Sequence, residues 1–382
     1  MKKRELPKIN GSKIMLLTTT DNMITQFLIP HIRDLQSYGA QVDLVCSRTG
    51  FWFDDLVNMG FNVIEVNMER NPINRTNSKA FKKLCEIQKQ NKYDLIYCQQ
   101  PVGGLMGRRL AKKFNIPVIY TVHGFFFMKG KNCIKNAIFH TAEKIMSKDT
   151  DVLITMNDED YNASIKWKVP YKYKISGIGM DVGKYDNSEF DKTAFKKSLG
   201  LDENDIVILS VSEFIKRKNY KTMIETFSKL AQKHNNLKYV LCGTGVLLEE
   251  MKQYAKKLGV EDKTFFVGYR KDINKIMQIS DIFFHQSFQE GLTMSIMEAL
   301  YFGLPVVTSN VRGNVDLVDN GHGGIITKCK DVKGQMSALE KLILNKDLRE
   351  RMSEYNKEKV KAYLLDNVRI ELKNIYHEIG CM

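Results

Sequence analysis

Two glutamates eight positions apart, Glu290 and Glu298, bracket Ser287-Phe288-Gln289-Glu290-Gly291-Leu292-Thr293-Met294-Ser295-Ile296-Met297-Glu298, a run that begins as a loop and continues as a helix. At about 3.6 residues per turn, one carboxylate sits in the loop and the other about two turns along the helix. Gly291 lets the backbone come close to a ligand. The amides of Leu292, Thr293 and Met294 open the helix without intrahelical partners, a ready site for an anion such as a diphosphate. Glu298 is then placed to accept hydrogen bonds from ribose hydroxyls, and Glu290 from sugar hydroxyls. The spacing alone equally fits an acidic residue serving the helix dipole and a solvent-facing Glu298.

Further groups of this kind follow other candidate strands. Ser212-Glu213-Phe214-Ile215-Lys216-Arg217-Lys218-Asn219 brings three cations to a strand-end loop, where phosphate charge is neutralised in a binding site and water does the same on a plain surface. Gly243-Thr244-Gly245 offers a tight turn, though no Gly-x-Gly-x-x-Gly follows the first strand, so it is no dinucleotide fingerprint. His123 stands between a strand ending at Val122 and the run Gly124-Phe125-Phe126-Phe127. A histidine there suits a structural role as well as a loop that enters a cleft.

These groups need elements to hold them. Short β-branched runs alternate with amphipathic stretches throughout: Lys13–Thr18, Val42–Cys46, Val63–Val66, Leu95–Cys98, Val118–Val122 and Val152–Thr155, then Ile206–Val211, Tyr239–Cys242, Thr264–Val267, Ile282–His285, Val306–Thr308 and Gly324–Ile326. Continuous apolar strands separated by helices predict parallel sheets buried on both faces. At 382 residues the chain exceeds one ordinary core. The reading is α/β, with two Rossmann-like doubly wound domains: residues 1–184, and residues 185–359 beyond a polar turn-forming linker at Asp181–Ser188. A helix-like stretch, Val360–Ile379 within residues 360–382, is in a position to cross back to the first domain. Ligands of such sheets bind beyond the carboxyl ends of the strands.

In this order the motifs resemble those of the retaining glycosyltransferases of family 4, which have the GT-B fold, two such domains facing each other across a cleft. The likeness rests on Glu290–Glu298, Gly303-Leu304-Pro305-Val306-Val307-Thr308, Arg312-Gly313, Phe266-Val267-Gly268-Tyr269-Arg270-Lys271-Asp272-Ile273, Ser280-Asp281-Ile282-Phe283, Gly243-Thr244-Gly245 and Ser176-Gly177-Ile178-Gly179-Met180-Asp181. Gln26-Phe27-Leu28-Ile29-Pro30-His31 and His123-Gly124-Phe125 make the chain similar to bacterial capsular and exopolysaccharide transferases. The resemblance implies that Lys218 binds the donor diphosphate and that the backbone of Val267–Arg270, with Tyr269 and Arg270, holds the base. It places Gly243, Gly245, Gly291, Leu292 and Thr293 at the donor, with His123 and Glu290 beside the reacting sugar. Glu213 stands where that family usually has arginine, a position Lys216 or Arg217 is near enough to serve. The implied reaction moves a hexosyl or N-acetylhexosaminyl group from a UDP-sugar, with retention, to a lipid-linked oligosaccharide in cell-envelope polysaccharide synthesis. A UDP-sugar epimerase on the same scaffold and a non-catalytic sugar-nucleotide-binding subunit are the rival readings.

Asp158-Glu159-Asp160 has the letters of the Asp-x-Asp of metal-dependent transferases, but after Asn157, a good N-cap, it reads as the acidic first turn of a helix. No other His, Cys and Asp spacing suits a metal, so no cofactor or metal is expected and Lys218 with helix N-termini would neutralise the phosphates.

The net charge of +14 is uneven: 27 Lys and Arg against 16 Asp and Glu fall at or before Met180. No acidic residue lies between Asp94 and Glu143, where Arg108, Arg109, Lys112, Lys113, Lys129, Lys131 and Lys135 all fall. Such a face suits an anionic membrane surface or lipid pyrophosphate; without an aromatic-basic motif or zinc spacing, no nucleic acid is expected. Asn132–Ser147 gathers Ile134, Ile138, Phe139, Ala142, Ile145 and Met146 on one helical side, as either a membrane-surface helix or one packed on its own domain. Seven scattered cysteines suggest a reducing compartment. No apolar run reaches the length of a membrane span or signal peptide. The expected place is the cytoplasm, including the inner face of the plasma membrane.

Overall fold

The computed structural model describes residues 4–185 and 188–382. Met1, Lys2 and Lys3 of the basic N-terminal run, and Asp186 and Asn187 of the expected linker, lie outside the described residues. Among the described residues, thirteen strands form two parallel sheets. The first contains β1 (Lys13–Thr20), β2 (Gln41–Ser47), β3 (Asn62–Glu65), β4 (Leu95–Gln99), β5 (Val118–Val122), β6 (Val152–Thr155) and β7 (Tyr171–Lys174), in the order β3-β2-β1-β4-β5-β6-β7. The second contains β8 (Ile206–Val211), β9 (Leu237–Cys242), β10 (Thr264–Gly268), β11 (Ile282–His285), β12 (Val306–Ser309) and β13 (Gly324–Thr327), in the order β10-β9-β8-β11-β12-β13.

The apolar runs form strands because both sheet faces are covered. In the second sheet Ile208 and Phe284 enter one core cluster with Phe227 and Leu339. Their neighbours Leu209 and Phe283 enter another with Met297 and Leu300. Successive side chains point to opposite faces, so burial on both demands unbroken apolar sequence. Strand β7, Tyr171-Lys172-Tyr173-Lys174, escaped the sequence reading because it is an edge strand with alternating lysines, and a charged edge resists further pairing.

The chain divides into one unit of Met1–Gly179 with Asp366–Met382 and another of Met180–Leu365. The break thus falls at Gly179, before the expected boundary at Lys184. The expected single helix Val360–Ile379 is instead a 3-10 turn, Val360–Tyr363, followed by the helix Leu365–Glu378. It is interrupted because Met180 takes up the freed backbone groups: its amide donates to Tyr363 O at 2.9 Å and its carbonyl accepts from Leu365 N at 3.0 Å. Within the first unit the last helix is held by Arg369, which donates to Asp34 Oδ2 at 2.7 Å, and by Glu371, which accepts from Ser176 N at 2.8 Å.

The basic face is smaller than the run of cations predicts. Arg108 is buried at 1% exposure, its guanidinium 2.7 Å from Glu143 and 4.2 Å over the Tyr120 ring. It is a core cation and adds nothing to a surface. Lys112 is also engaged, 3.0 Å from Asp149.

In each sheet the chain runs outward from a central strand and then crosses back to that strand's other side, at β1/β4 and at β8/β11. The crevice beyond the carboxyl ends of such a strand pair is where open α/β sheets bind ligands.

Candidate functional site

At the β8/β11 switch point, a group of charged side chains surrounds Glu290, which is 7% exposed. Lys218, from the 3-10 turn Lys216–Lys218 after β8, donates to Glu290 Oε1 at 2.7 Å. Arg217 donates to Oε2 at 2.9 Å and to the Gln289 carbonyl at 2.7 Å. His285, the last residue of β11, places Nε2 3.2 Å from Oε1, and Arg312 donates to the Glu290 carbonyl at 3.0 Å. Burial pushes the Glu290 carboxyl up, but the hydrogen bond from His285 and the Lys218 and Arg217 charges outweigh it and hold it far below the usual carboxylate range. Burial likewise pulls the Lys218 ammonium down, with Glu290 opposing. The His285 ring is depressed mainly by burial. A neutral ring donating from Nε2 leaves Nδ1 bare, and that atom has no partner among the described residues. The result is a paired but partly desolvated cation group of the kind that gives tight phosphate contacts.

Beside it lies a cavity of about 340 Å3 lined by Ser212, Glu213, Gly243, Thr244, Tyr269, Arg270 and Glu298, among others. One wall exists only because Gly243 and Gly245 are glycines. Both have positive φ, 140° and 148°, and an added Cβ at Gly243 would lie 2.0 Å from the Ser212 carbonyl oxygen. Opposite, the helix Met294–Tyr301 carries Glu298, whose Oε1 accepts from the Tyr185 hydroxyl at 2.8 Å. Burial raises the Glu298 carboxyl, and the Tyr185 hydrogen bond partly offsets this. Thr293, the N-cap of that helix, turns its hydroxyl to Asn314 Oδ1 at 2.7 Å instead of capping, which leaves the first-turn amides of Met294 and Ser295 to other acceptors. Gly291 sits tightly against the next loop: a Cβ at Gly313 would approach its carbonyl oxygen to 2.3 Å. Tyr269 stands 73% exposed at the rim, and the Arg270 guanidinium is held by Asp272 at 2.8 and 2.6 Å.

The structure therefore brings Lys218 and Glu290 together, and sets Gly243, Tyr269, Arg270 and Glu298 around one cavity, with Gly245 in the same glycine turn. Of the two cations considered for the Glu213 position, Arg217 joins the Glu290 cluster and Lys216 lines a separate cavity.

His123 belongs to the first unit, at the end of β5. Its Nε2 lies 2.7 Å from Gln99 Oε1 at the end of β4, and since that oxygen only accepts, Nε2 carries the proton. Burial is the main cause that drops the ring's pKa to about 3, so it is neutral with Nδ1 as acceptor. At the β1/β4 switch point Gln100 has a φ of 63° and its Oε1 accepts from Thr19 N at 3.1 Å. A non-glycine residue in that region carries backbone strain, which concentrates at binding sites. Asp158 heads a helix capped by Asn157, whose side chain accepts from Asp160 N at 2.8 Å, and Asp158 itself pairs with Lys174 at 2.6 Å. Among the described residues no group of three or more His, Cys, Asp or Glu side chains is arranged to hold a metal.

His285, Tyr185 and Gln99 were not singled out by sequence reasoning. The available signal was position: His285 and Gln99 end parallel strands on either side of a connection that crosses the sheet. Tyr185 carried no signal, because only the folded chain brings it to Glu298.

Two parallel doubly wound sheets, the second with a ligand-sized cavity beyond the carboxyl ends of its strands, are the architecture of the GT-B class. Residues 191–359 match the family model of glycosyl transferases group 1, and residues 13–157 that of glycosyl transferase 4-like proteins. The chain belongs to the glycosyltransferases of this fold. It is related to bacterial polysaccharide transferases: it is 26% identical over 95% of its length to EpsD of Bacillus subtilis (strain 168), named a glycosyltransferase, covering 96% of that protein. It is 29% identical over 80% of its length to the UDP-Gal:alpha-D-GlcNAc-diphosphoundecaprenol alpha-1,3-galactosyltransferase of Escherichia coli, covering 81% of it. In fold it is similar to Anabaena HepE, solved with UDP and glucose, with a TM-score of 0.79 at 18% identity over 96% of this chain and 100% of that one.

Proposed function

We propose that the protein transfers a hexosyl or N-acetylhexosaminyl group from a UDP-sugar to a lipid-linked oligosaccharide in cell-envelope polysaccharide synthesis, with retention and without a metal. The observation that carries the donor half is the cavity between the Gly243 turn and Glu298, whose wall residues Ser212 and Glu213 begin the connection after β8 that carries Lys218 to Glu290. Its volume lies within the range of small-ligand pockets. A ribose diol fits the Glu298 carboxylate, and the diphosphate fits the Lys218 ammonium and the amides at the start of Met294–Tyr301. UDP as the nucleotide is supported by the printed name of the E. coli relative, which acts with UDP-Gal, and by the HepE complex. The same E. coli name supports a diphospholipid-linked acceptor. Retention comes from the family resemblance.

In the reaction the bond between the anomeric carbon and the β-phosphate oxygen breaks and an acceptor oxygen bonds to that carbon. The electron pair leaves with the diphosphate, and the proton of the acceptor hydroxyl passes to the departing diphosphate oxygen. Lys218 and Arg217 stabilise the departing charge. Glu290 holds both cations and, through them, the position of the diphosphate. The family resemblance gives His123 the role of hydrogen-bonding a hydroxyl of the reacting sugar.

Glu298→Ala tests the donor half. The mutant is expected to bind UDP about 10- to 150-fold more weakly, the loss of a charged hydrogen bond of about 1.5–3 kcal/mol. Unchanged calorimetric affinity in a folded mutant removes Glu298 from the site. Turnover with a panel of UDP-sugars and polyprenyl diphosphate saccharides is expected to survive excess EDTA. Loss restored by Mn2+ would overturn the metal-independent reading. Product formation from donor alone would favour an epimerase, and donor binding without product a non-catalytic subunit.

A lipid-linked acceptor would bring the enzyme to a membrane surface. Among the described residues no helix is long and apolar enough to cross one. The helix Cys133–Met146 buries none of its residues, and Ile134, Ile138 and Ile145 are 67%, 61% and 59% exposed. Lys131, Lys135, Lys144 and Lys148 flank it. The protein is expected to sediment with anionic liposomes, each near-surface cation contributing about 1 kcal/mol. Salt is expected to remove most of the binding, and reversal at Lys131 and Lys135 to reduce it further. No sedimentation at low salt would end the membrane reading.

A further inference from the structure

A second cavity in the Met180–Leu365 unit, of about 530 Å3, shares no lining residue with the donor cavity. Its walls are of two kinds. Leu247, Met251 and Phe288 give an apolar surface, and Lys216, Lys221 and Lys330 are among the residues around it. Among the described residues none of these three lysines is ion-paired with a carboxylate. Lys330 lies over the Phe288 ring at 5.7 Å and Lys221 over Tyr254 at 5.5 Å. Glu225, which also pairs with Lys229 at 3.0 Å, and Glu250 are the carboxylates in the wall, two against three lysines. Three cations around a partly enclosed apolar floor match a ligand with an anionic head and an apolar body.

The cavity is built on the loops that hold the Glu290 cluster. Asn219, in its wall, has a φ of 58° and donates to the Gln286 carbonyl at 3.0 Å and to the Cys329 carbonyl at 2.7 Å, joining the loops after β8, β11 and β13. Phe288 N donates to the Arg217 carbonyl at 2.8 Å. Lys216 and Phe288 thus line this cavity, while Lys218 and Glu290, two residues further along the same two loops, form the ion pair. A ligand that moves Phe288 or Lys216 must shift that pair or resist its shifting.

We propose that this cavity is a regulatory site for an organic phosphate with an apolar body, and that its occupant alters donor binding through the Asn219-linked loops. Occupancy is independent of the transferase reading, whereas its effect on UDP rests on it.

The test uses the whole protein and geranyl diphosphate, with inorganic pyrophosphate and geraniol as the two halves of the probe. Calorimetry is expected to show saturable geranyl diphosphate binding that persists with UDP at saturation. Affinity is expected to exceed that of pyrophosphate by at least about tenfold, the effect of taking about two methylene groups out of water. Geraniol alone is expected to bind no better than pyrophosphate. The double variant Lys221→Glu, Lys330→Glu is expected to lose geranyl diphosphate binding and to keep UDP binding within about twofold. Saturating geranyl diphosphate is expected to change UDP affinity by about fivefold or more, the lower range of measured couplings. Stoichiometric displacement by UDP, or unchanged binding in the double variant, would overturn the site. Equal affinity for pyrophosphate would overturn the ligand class, and an unchanged UDP affinity would overturn the regulation. If UDP does not bind at all, the donor reading fails, while the double variant still decides the site.

Discussion

Lys218→Ala is expected to weaken UDP binding by about a hundredfold while leaving uridine binding within about threefold. The ammonium is 11% exposed and lies 2.7 Å from Glu290 Oε1, so it is already largely out of water before any ligand arrives. A preorganised, desolvated cation gives more to a bound phosphate than one that must first lose its hydration. Truncating one partner of a buried hydrogen-bonded charge pair changes binding by about 2–5 kcal/mol, and about 2.7 kcal/mol is a hundredfold. The lower half of that range applies because Arg217 stays 2.9 Å from the other carboxylate oxygen and keeps part of the positive field. Uridine has no phosphate and ought not to sense the change. Titration of both ligands into a mutant with wild-type circular dichroism checks it. Losses of equal size would mean that the loop has collapsed.

The sheets were largely legible because burial on both faces writes itself into sequence. Val118–Val122 is buried at every position and is apolar at every position but Thr121. The same reasoning misses β7, which has only half-buried tyrosines between its lysines. Arg108 shows a different limit. A run of cations with no acid nearby reads as a surface, yet Glu143, 35 positions away, neutralises one of them inside the core. The helix break at Leu364 depends on Met180, which no local pattern reveals.

The candidate site divides along the same line. Glu290 and Lys218 stand in the connections that follow strands, and Glu298 on the helix that continues one of them; all have the residue types that bind phosphates and hydroxyls, so position and chemistry both mark them. Their partners do not share that advantage. His285 closes an apolar strand and reads as its last residue, and Tyr185 lies in the turn region before β8. Each acquires a role only from a contact across tens of residues or from burial. Arg217 and Lys216 are adjacent and chemically similar, yet one reaches Glu290 and the other lines a different cavity. The 3-10 turn separates them.

Glu290→Gln is expected to lower stability and turnover together, with a pH dependence that identifies the cause. Glutamine keeps the size and one acceptor but loses the charge facing Lys218, Arg217 and His285. Leaving a buried cation without its partner costs about 3–5 kcal/mol. Arg217 is 42% exposed and water screens it, so a loss of about 3 kcal/mol at neutral pH is expected in denaturant melts. The sign follows from the depressed carboxyl. Its stabilisation is complete above the ordinary glutamate pKa of about 4.3 and is lost as pH falls toward the lower folded value. The stability gap between wild type and mutant is therefore full at pH 7 and narrower at pH 3. Turnover is expected to fall about 10²–10³-fold, the scale seen when one transition-state electrostatic contact is removed, because in the proposed reaction Lys218 and Arg217 would lose the anchor that fixes them under the leaving diphosphate. UDP affinity is expected to hold or rise, since two cations are released toward the phosphates. That combination, tighter product and slower transfer, separates a positioning anchor from a simple binding residue. A gap of the same size at pH 7 and pH 3 would show that Glu290 is not an ionised partner of the cluster. Unchanged turnover would remove it from the reaction.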